Sequence, residues 1–249
     1  MIGATGDNMP LNDRKIISII LDECKGVEER CEGYREEIID VISDIIEYER
    51  QHRVQGTNIQ KKINDKCNAA ARFLSELKRH NIRTSIDLVS ENSDRFRHIV
   101  PPALKYTDYC IVNDWEAEKL TGIPLRSGGK LLPENLSKIG EAIFGFGVKE
   151  LVVVHFPEGG YLLSKDGVEL LQPSLELPDD YVVGSAGAGD SFCAGILYGL
   201  YHGWSHDKML RLATCAGGMN LSSLTTTGGI KSCPEILRLE ERFSYRKKL

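Results

Sequence analysis

From residue 83 to residue 221, short apolar runs alternate with helix-length segments, and this alternation constrains the fold more than any other feature of the chain. Residues 83–89 read as a first strand, with Asp87 near its end. Residues 94–105 read as a helix that Pro101 and Pro102 must kink or split. Residues 109–112 form a short apolar strand. Asn113 or Asp114 then caps a helix whose early turns carry Glu116 and Glu118, where the helix dipole favours acids, and Gly122 is placed to end it. Residues 133–146 predict another helix, and residues 150–155 a buried strand built on Leu151-Val152-Val153-Val154. Lys165-Asp166-Gly167 sits between two apolar runs as a hairpin signal. Residues 190–201 predict a buried helix in which Gly195 and Gly199 allow close packing, and residues 207–221 a last long helix. Strand–helix alternation of this kind predicts an α/β fold, a three-layer α/β/α arrangement with a mostly parallel sheet covered on both faces.

The front of the chain is different. Residues 1–66 are densely charged and read as helical, with Ile38, Ile39, Val41, Ile42, Ile45 and Ile46 at helical spacing. Residues 13–23 carry a second helical stripe, residues 55–58 read as a loop, and a third helix runs over residues 63–79. The expected organisation is therefore a charged helical segment over 1–66 and an α/β domain over 67–249. The isoleucine stripe needs a cover, either the C-terminal domain or a second chain, which leaves a homodimer open.

Composition narrows the partners. The 249 residues are 41% hydrophobic and 27% charged, the balance of a globular protein. A net charge of −5 argues against a dedicated nucleic-acid binder. No apolar stretch is long enough to span a membrane, and residues 1–10 lack the layout of a signal peptide, so the cytoplasm is the expected location. The seven cysteines form no C-x-x-C pair and no zinc spacing; Cys110, Cys193 and Cys215 lie in apolar runs and read as buried small hydrophobes.

The chemistry concentrates in Val183-Gly184-Ser185-Ala186-Gly187-Ala188-Gly189-Asp190, which runs directly into the apolar helix. The glycines let the backbone turn its N–H groups inward at the positive end of a helix, a ready anion site. An acid placed there is costly for binding alone. It makes sense if Asp190 takes a proton from a hydroxyl while the neighbouring N–H groups hold the phosphoryl group under attack. Taken alone, Asp190 could simply cap the helix. The run is not a Walker A loop, because no Gly-Lys-Ser/Thr follows, and it is not the dinucleotide fingerprint, because Phe192 stands where glycine is needed. The second feature is Asn113-Asp114-Trp115-Glu116. Asn113 and Glu116 share one helix face at the carboxyl end of a strand, where open α/β sheets bind ligands, and their oxygens suit Mg²⁺ held through water. The plain alternative is a helix cap with a first-turn acid.

Together these features resemble the PfkB/ribokinase family of carbohydrate and nucleoside kinases. The order fits as well: N-x-x-E, a Val-rich strand with a Gly turn, G-A-G-D, then a helix, with Thr225-Thr226-Thr227-Gly228-Gly229-Ile230 resembling the family's late nucleotide-side loop. The resemblance covers about residues 68–245. It implies a ribokinase-like fold, ATP as co-substrate, Mg²⁺, and phosphoryl transfer to a hydroxyl of a small sugar, a phosphotransferase reaction with an alcohol acceptor. It implies Asp190 as catalytic base, with Gly187, Ala188 and Gly189 as the anion hole. Glu116 would position Mg²⁺ through water. Asn113, His155, Gly159, Gly160, Thr214, Gly228 and Gly229 would border ATP, Thr214 standing where relatives often carry an Asn. Gly184-Ser185 departs from the family's usual Asp-Thr. Residues 1–66 lack the strand, sugar-contacting Asp and β lid with which family members begin. An alternative is therefore a truncated, catalytically impaired kinase-like protein that binds nucleotide or a protein partner.

Overall fold

The computed structural model describes residues 59–88 and 96–247. The helices expected over 13–23 and 38–46 lie outside the described residues. The chain divides into two compact units, Met1–Asp65 and Lys66–Leu249, and the second carries the α/β fold.

Its elements follow the alternation in the sequence. Helix α1 (Ile59–Arg79) precedes strand β1 (Ser85–Asp87), and the two prolines split the next helical segment into α2 (Phe96–Ile99) and α3 (Pro101–Leu104). Then come β2 (Tyr109–Asn113) and α4 (Asp114–Thr121), which Gly122 ends in the left-handed conformation at φ 74°. A small hairpin of β3 (Arg126–Ser127) and β4 (Lys130–Leu131) leads through a 3₁₀ turn (Pro133–Asn135) into α5 (Leu136–Gly145). Strands β5 (Leu151–Phe156), β6 (Gly159–Ser164) and β7 (Glu169–Pro173) follow. Helices α6 (Ala188–Tyr201), α7 (His206–Asn220), α8 (Cys233–Leu237) and α9 (Leu239–Arg242) complete the unit.

The main sheet runs in the order β1-β2-β5-β6-β7. It is mixed rather than mostly parallel. The β1–β2 and β2–β5 pairs are parallel, whereas β5–β6 and β6–β7 are antiparallel. The reason is connection length. Only Pro157 and Glu158 join β5 to β6, far too short for the crossover that a parallel pair requires.

The three layers are present. Successive residues of a strand face opposite sides, so Cys110 and Val112 pack with Val152 and Val154 against Leu104, Leu120, Ile139 and Ile143 of the helices on one face. Tyr109, Ile111, Leu151 and Val153 pack on the other face against Phe192 and Ile196 of α6 and Met209, Leu210 and Ala213 of α7. Helices α6 and α7 approach closely because Gly195 lacks a side chain: a Cβ there would lie 2.5 Å from Ala213 Cα. Burial pushes the Cys110 and Cys193 thiols up to about 12 and Cys215 to about 11, which fits the packing role expected of them. No helix among the described residues is long and apolar enough to cross a membrane.

Candidate active site

The parallel strands β2 and β5 end side by side, with Asn113 opposite His155, and the N-terminus of α6 meets them there. Local sequence explains each placement. Asn113 leaves the strand in an extended conformation, and its side chain accepts from Glu116 N–H at 2.8 Å. The Glu116 carboxylate accepts from Asn113 N–H at 3.1 Å, so the two residues form a reciprocal capping box. Glu116 is 2% exposed. The N-x-x-E spacing therefore performs the capping role directly.

Helix α6 begins after Gly187, whose φ of 78° is left-handed and whose missing Cβ lets the loop lie against Thr226. The first N–H groups of a helix have no partner within it, which leaves this end positive and donor-rich. Of the three expected donors, Ala188 N–H leans on Ser185 O at 3.3 Å. Asp190 sits in the first turn with an exposed side chain. The loop is braced from behind: Asn220 Nδ2 donates to Ala186 O at 2.8 Å, and Val183 N–H to Leu221 O at 2.9 Å.

A cavity of about 1020 Å³ opens at these strand ends. Asn113, His155, Gly159, Ala188, Gly189 and Thr214 line it. The buried Thr214 hydroxyl has no hydrogen-bond partner among the described residues. The His155 ring lies 5.1 Å from that of Phe192, and burial pushes its imidazole down to about 4 although Asp114 and Asp190 pull the other way. It is neutral at pH 7.

Other expected residues lie elsewhere. Asp190 lines a second cavity of about 580 Å³, on the other side of α6, with Thr226, Thr227 and Lys231. Gly160 lines neither cavity; a Cβ there would lie 2.7 Å from Phe192 Cζ, so its role is packing. Gly228 and Gly229 line neither cavity as well. They fold against Thr225 and the end of α7 at Met219 and Asn220.

Several residues at the site carry no motif. Asp87 ends β1, and desolvation followed by the charge of Asp190 pushes its carboxyl above the usual range, which places the two acids within electrostatic reach. Arg126 holds both Glu158 oxygens, at 2.9 and 2.7 Å, and donates through Nε to Asp114 at 2.6 Å. That fork ties the turn after β5 to the start of α4. Arg246 lines the larger cavity.

A twisted sheet between helical layers, with a helix N-terminus and hard oxygen donors at the carboxyl ends of parallel strands, is the architecture of α/β proteins that bind anionic ligands. The sequence pattern of the pfkB family of carbohydrate kinases matches residues 63–233, and the chain belongs to that family. Ribokinase of Arabidopsis thaliana is 31% identical over 123 residues, which are 49% of this chain and 30% of the relative. The 1-phosphofructokinase of Escherichia coli (strain K12) is 29% identical over 116 residues, 46% of this chain and 35% of the relative. Among solved structures, Arabidopsis thaliana ribokinase complexed with ribose and ATP aligns with a TM-score of 0.58 at 22% identity, over 69% of this chain and 51% of that one. A putative ribokinase II from E. coli in complex with ATP and Mg²⁺ gives 0.54 at 18% identity, over 68% and 52%. The fold is ribokinase-like. The chain spans about a third of the curated relatives' length and about half of the solved chains.

Proposed function

We propose that this chain binds Mg²⁺–ATP in the larger cavity and transfers the terminal phosphoryl group to a hydroxyl of a small carbohydrate, with Asp190 as general base. The observation that carries the reading is the N-terminus of α6, where Gly189 faces the larger cavity and the next residue, Asp190, faces the second. The first-turn N–H groups and the Asp190 carboxylate lie within one turn at the open end of α6, so a donor phosphoryl group and an acceptor hydroxyl would meet around that end.

Phosphoryl transfer needs positioning and charge stabilisation more than covalent chemistry. The backbone N–H groups of Gly187 and Gly189 are suited to hold the transferring group, and Ala188 N–H can join by leaving Ser185 O. The Asp190 carboxylate accepts the acceptor proton. Asn113 lines the larger cavity, and the Glu116 carboxylate beside it in the capping box offers the oxygen chemistry that Mg²⁺ prefers, reached through water. Bound Mg²⁺ would neutralise phosphate charge. The apolar part of the larger cavity, with Leu175, Leu177 and Leu221, suits a flat base, and Thr214 lines the same space.

A second reading has its own observation: the chain spans about half the length of the solved relatives. In that reading the chain binds nucleotide and transfers phosphate poorly. ADP release with a panel of hexoses and pentoses, for the wild type and Asp190→Asn, separates the two. Sugar-dependent release that falls by about 10²–10⁴ in the variant supports the base assignment. Equal release in both removes it. Mg²⁺–ATP binding without sugar-dependent release selects the second reading.

A further inference from the structure

We infer that Arg246, which lines the larger cavity, holds the phosphate chain of the bound nucleotide; this rests on the nucleotide reading above. A cavity meant for a polyanion should contain positive charge. Among the described residues lining this one, Arg246 is the single cation, against the acids Asp114 and Asp179. His155 adds no charge at neutral pH.

The guanidinium is held in place before any ligand arrives. The C-terminal stretch is stitched along the segment after β7. Arg246 N–H donates to Ser174 O at 2.9 Å, and Glu176 N–H donates to Ser244 O at 2.8 Å, flanking the antiparallel bridge between Leu175 and Tyr245. Arg246 Nε then donates to Ser174 Oγ at 2.9 Å. Ser174 is itself fixed to the turn after β5, its N–H on Glu158 O at 2.7 Å and its hydroxyl on Pro157 O at 2.9 Å.

The remaining donors are left over. Glu158 is the carboxylate whose charge Arg246 feels, yet Arg126 already occupies both of its oxygens. The two Nη groups of Arg246 therefore have no hydrogen-bond partner among the described residues. A guanidinium fixed through Nε and unfilled at Nη presents a planar fork, which matches phosphate oxygens better than a base or a sugar. Two guanidinium groups beside one carboxylate thus divide their work. Arg126 is structural, and Arg246 is available to ligand.

The test uses the full 249-residue chain and calorimetric titration with adenosine, Mg²⁺–ADP and Mg²⁺–ATP. Arg246→Ala should weaken Mg²⁺–ADP and Mg²⁺–ATP by about tenfold, the scale of a charge-assisted bond at an exposed side chain, and leave adenosine within about twofold. Arg246→Lys should recover part of the loss, because it keeps the charge and loses the fork. Added salt should weaken Mg²⁺–ADP more for the wild type than for Arg246→Ala. Equal weakening of adenosine and Mg²⁺–ADP would assign Arg246 to the base or to tail packing and overturn the inference. Unchanged Mg²⁺–ADP affinity in both variants would overturn it too, while leaving the nucleotide site standing. A wild-type chain that binds none of the three ligands removes the nucleotide reading and this inference with it.

Discussion

Acid should loosen this fold through one imidazole. His155 ends β5 opposite Asn113, with its ring against Phe192 at 5.1 Å and Gly189 packed on its edge. Burial lowers its pKa to about 4 from the ordinary 6.5. Between those two values the unfolded chain carries the proton and the folded chain does not. The stability this gives is fully present above pH 6.5 and is lost as pH falls toward 4. At 1.36 kcal/mol per pH unit, the loss by pH 5 is about 2 kcal/mol. Urea unfolding near pH 7.5 and near pH 5 reads it, as a fall in midpoint of about 1 M. His155→Gln cannot titrate, so its own midpoint should move less by that amount. If both proteins lost the same stability on acidification, the imidazole would be ordinary and the burial argument wrong.

Two substitutions at the site separate structure from function. Gly187→Ala forces an alanine to a φ of 78° and drives its Cβ onto the Thr226 carbonyl; it should cost at least 1–2 kcal/mol of stability, about the left-handed penalty, and weaken Mg²⁺–ATP, measured by urea unfolding and calorimetry. Glu116→Gln keeps a residue able to complete the capping box, so unfolding should change by less than about 1 kcal/mol, while the Mg²⁺ concentration for half-maximal nucleotide binding rises. An unchanged Mg²⁺ titration would leave Glu116 as a cap alone.

The sequence made the layers legible because the central strands β2 and β5 are buried on both faces and read as unbroken apolar runs, Leu151 to Val154 above all. The same runs carry no mark of direction. Strand orientation was settled by the two-residue link at Pro157 and Glu158, and apolar pattern alone does not weigh a link. The glycine run before Asp190 was legible because only a tight, N–H-rich turn explains it. N-x-x-E was legible as a pattern, yet a cap and a metal site need the same residues at the same spacing, and it is the hydrogen bonds that display the cap. Gly160 resembled a nucleotide-side glycine, but the side chain it makes room for, Phe192, lies 32 positions on. Arg126–Glu158 and Arg246–Ser174 are pairs separated by 32 and 72 positions, and neither leaves a local signature.

Hydrogen exchange of the whole chain with and without Mg²⁺–ATP tests the nucleotide site most directly. Nucleotide should slow exchange in peptides covering residues 184–191 and 155–160, where the N-terminus of α6 and the end of β5 border the larger cavity. Protection confined to residues 226–236, or no change on adding saturating Mg²⁺–ATP, would contradict the account.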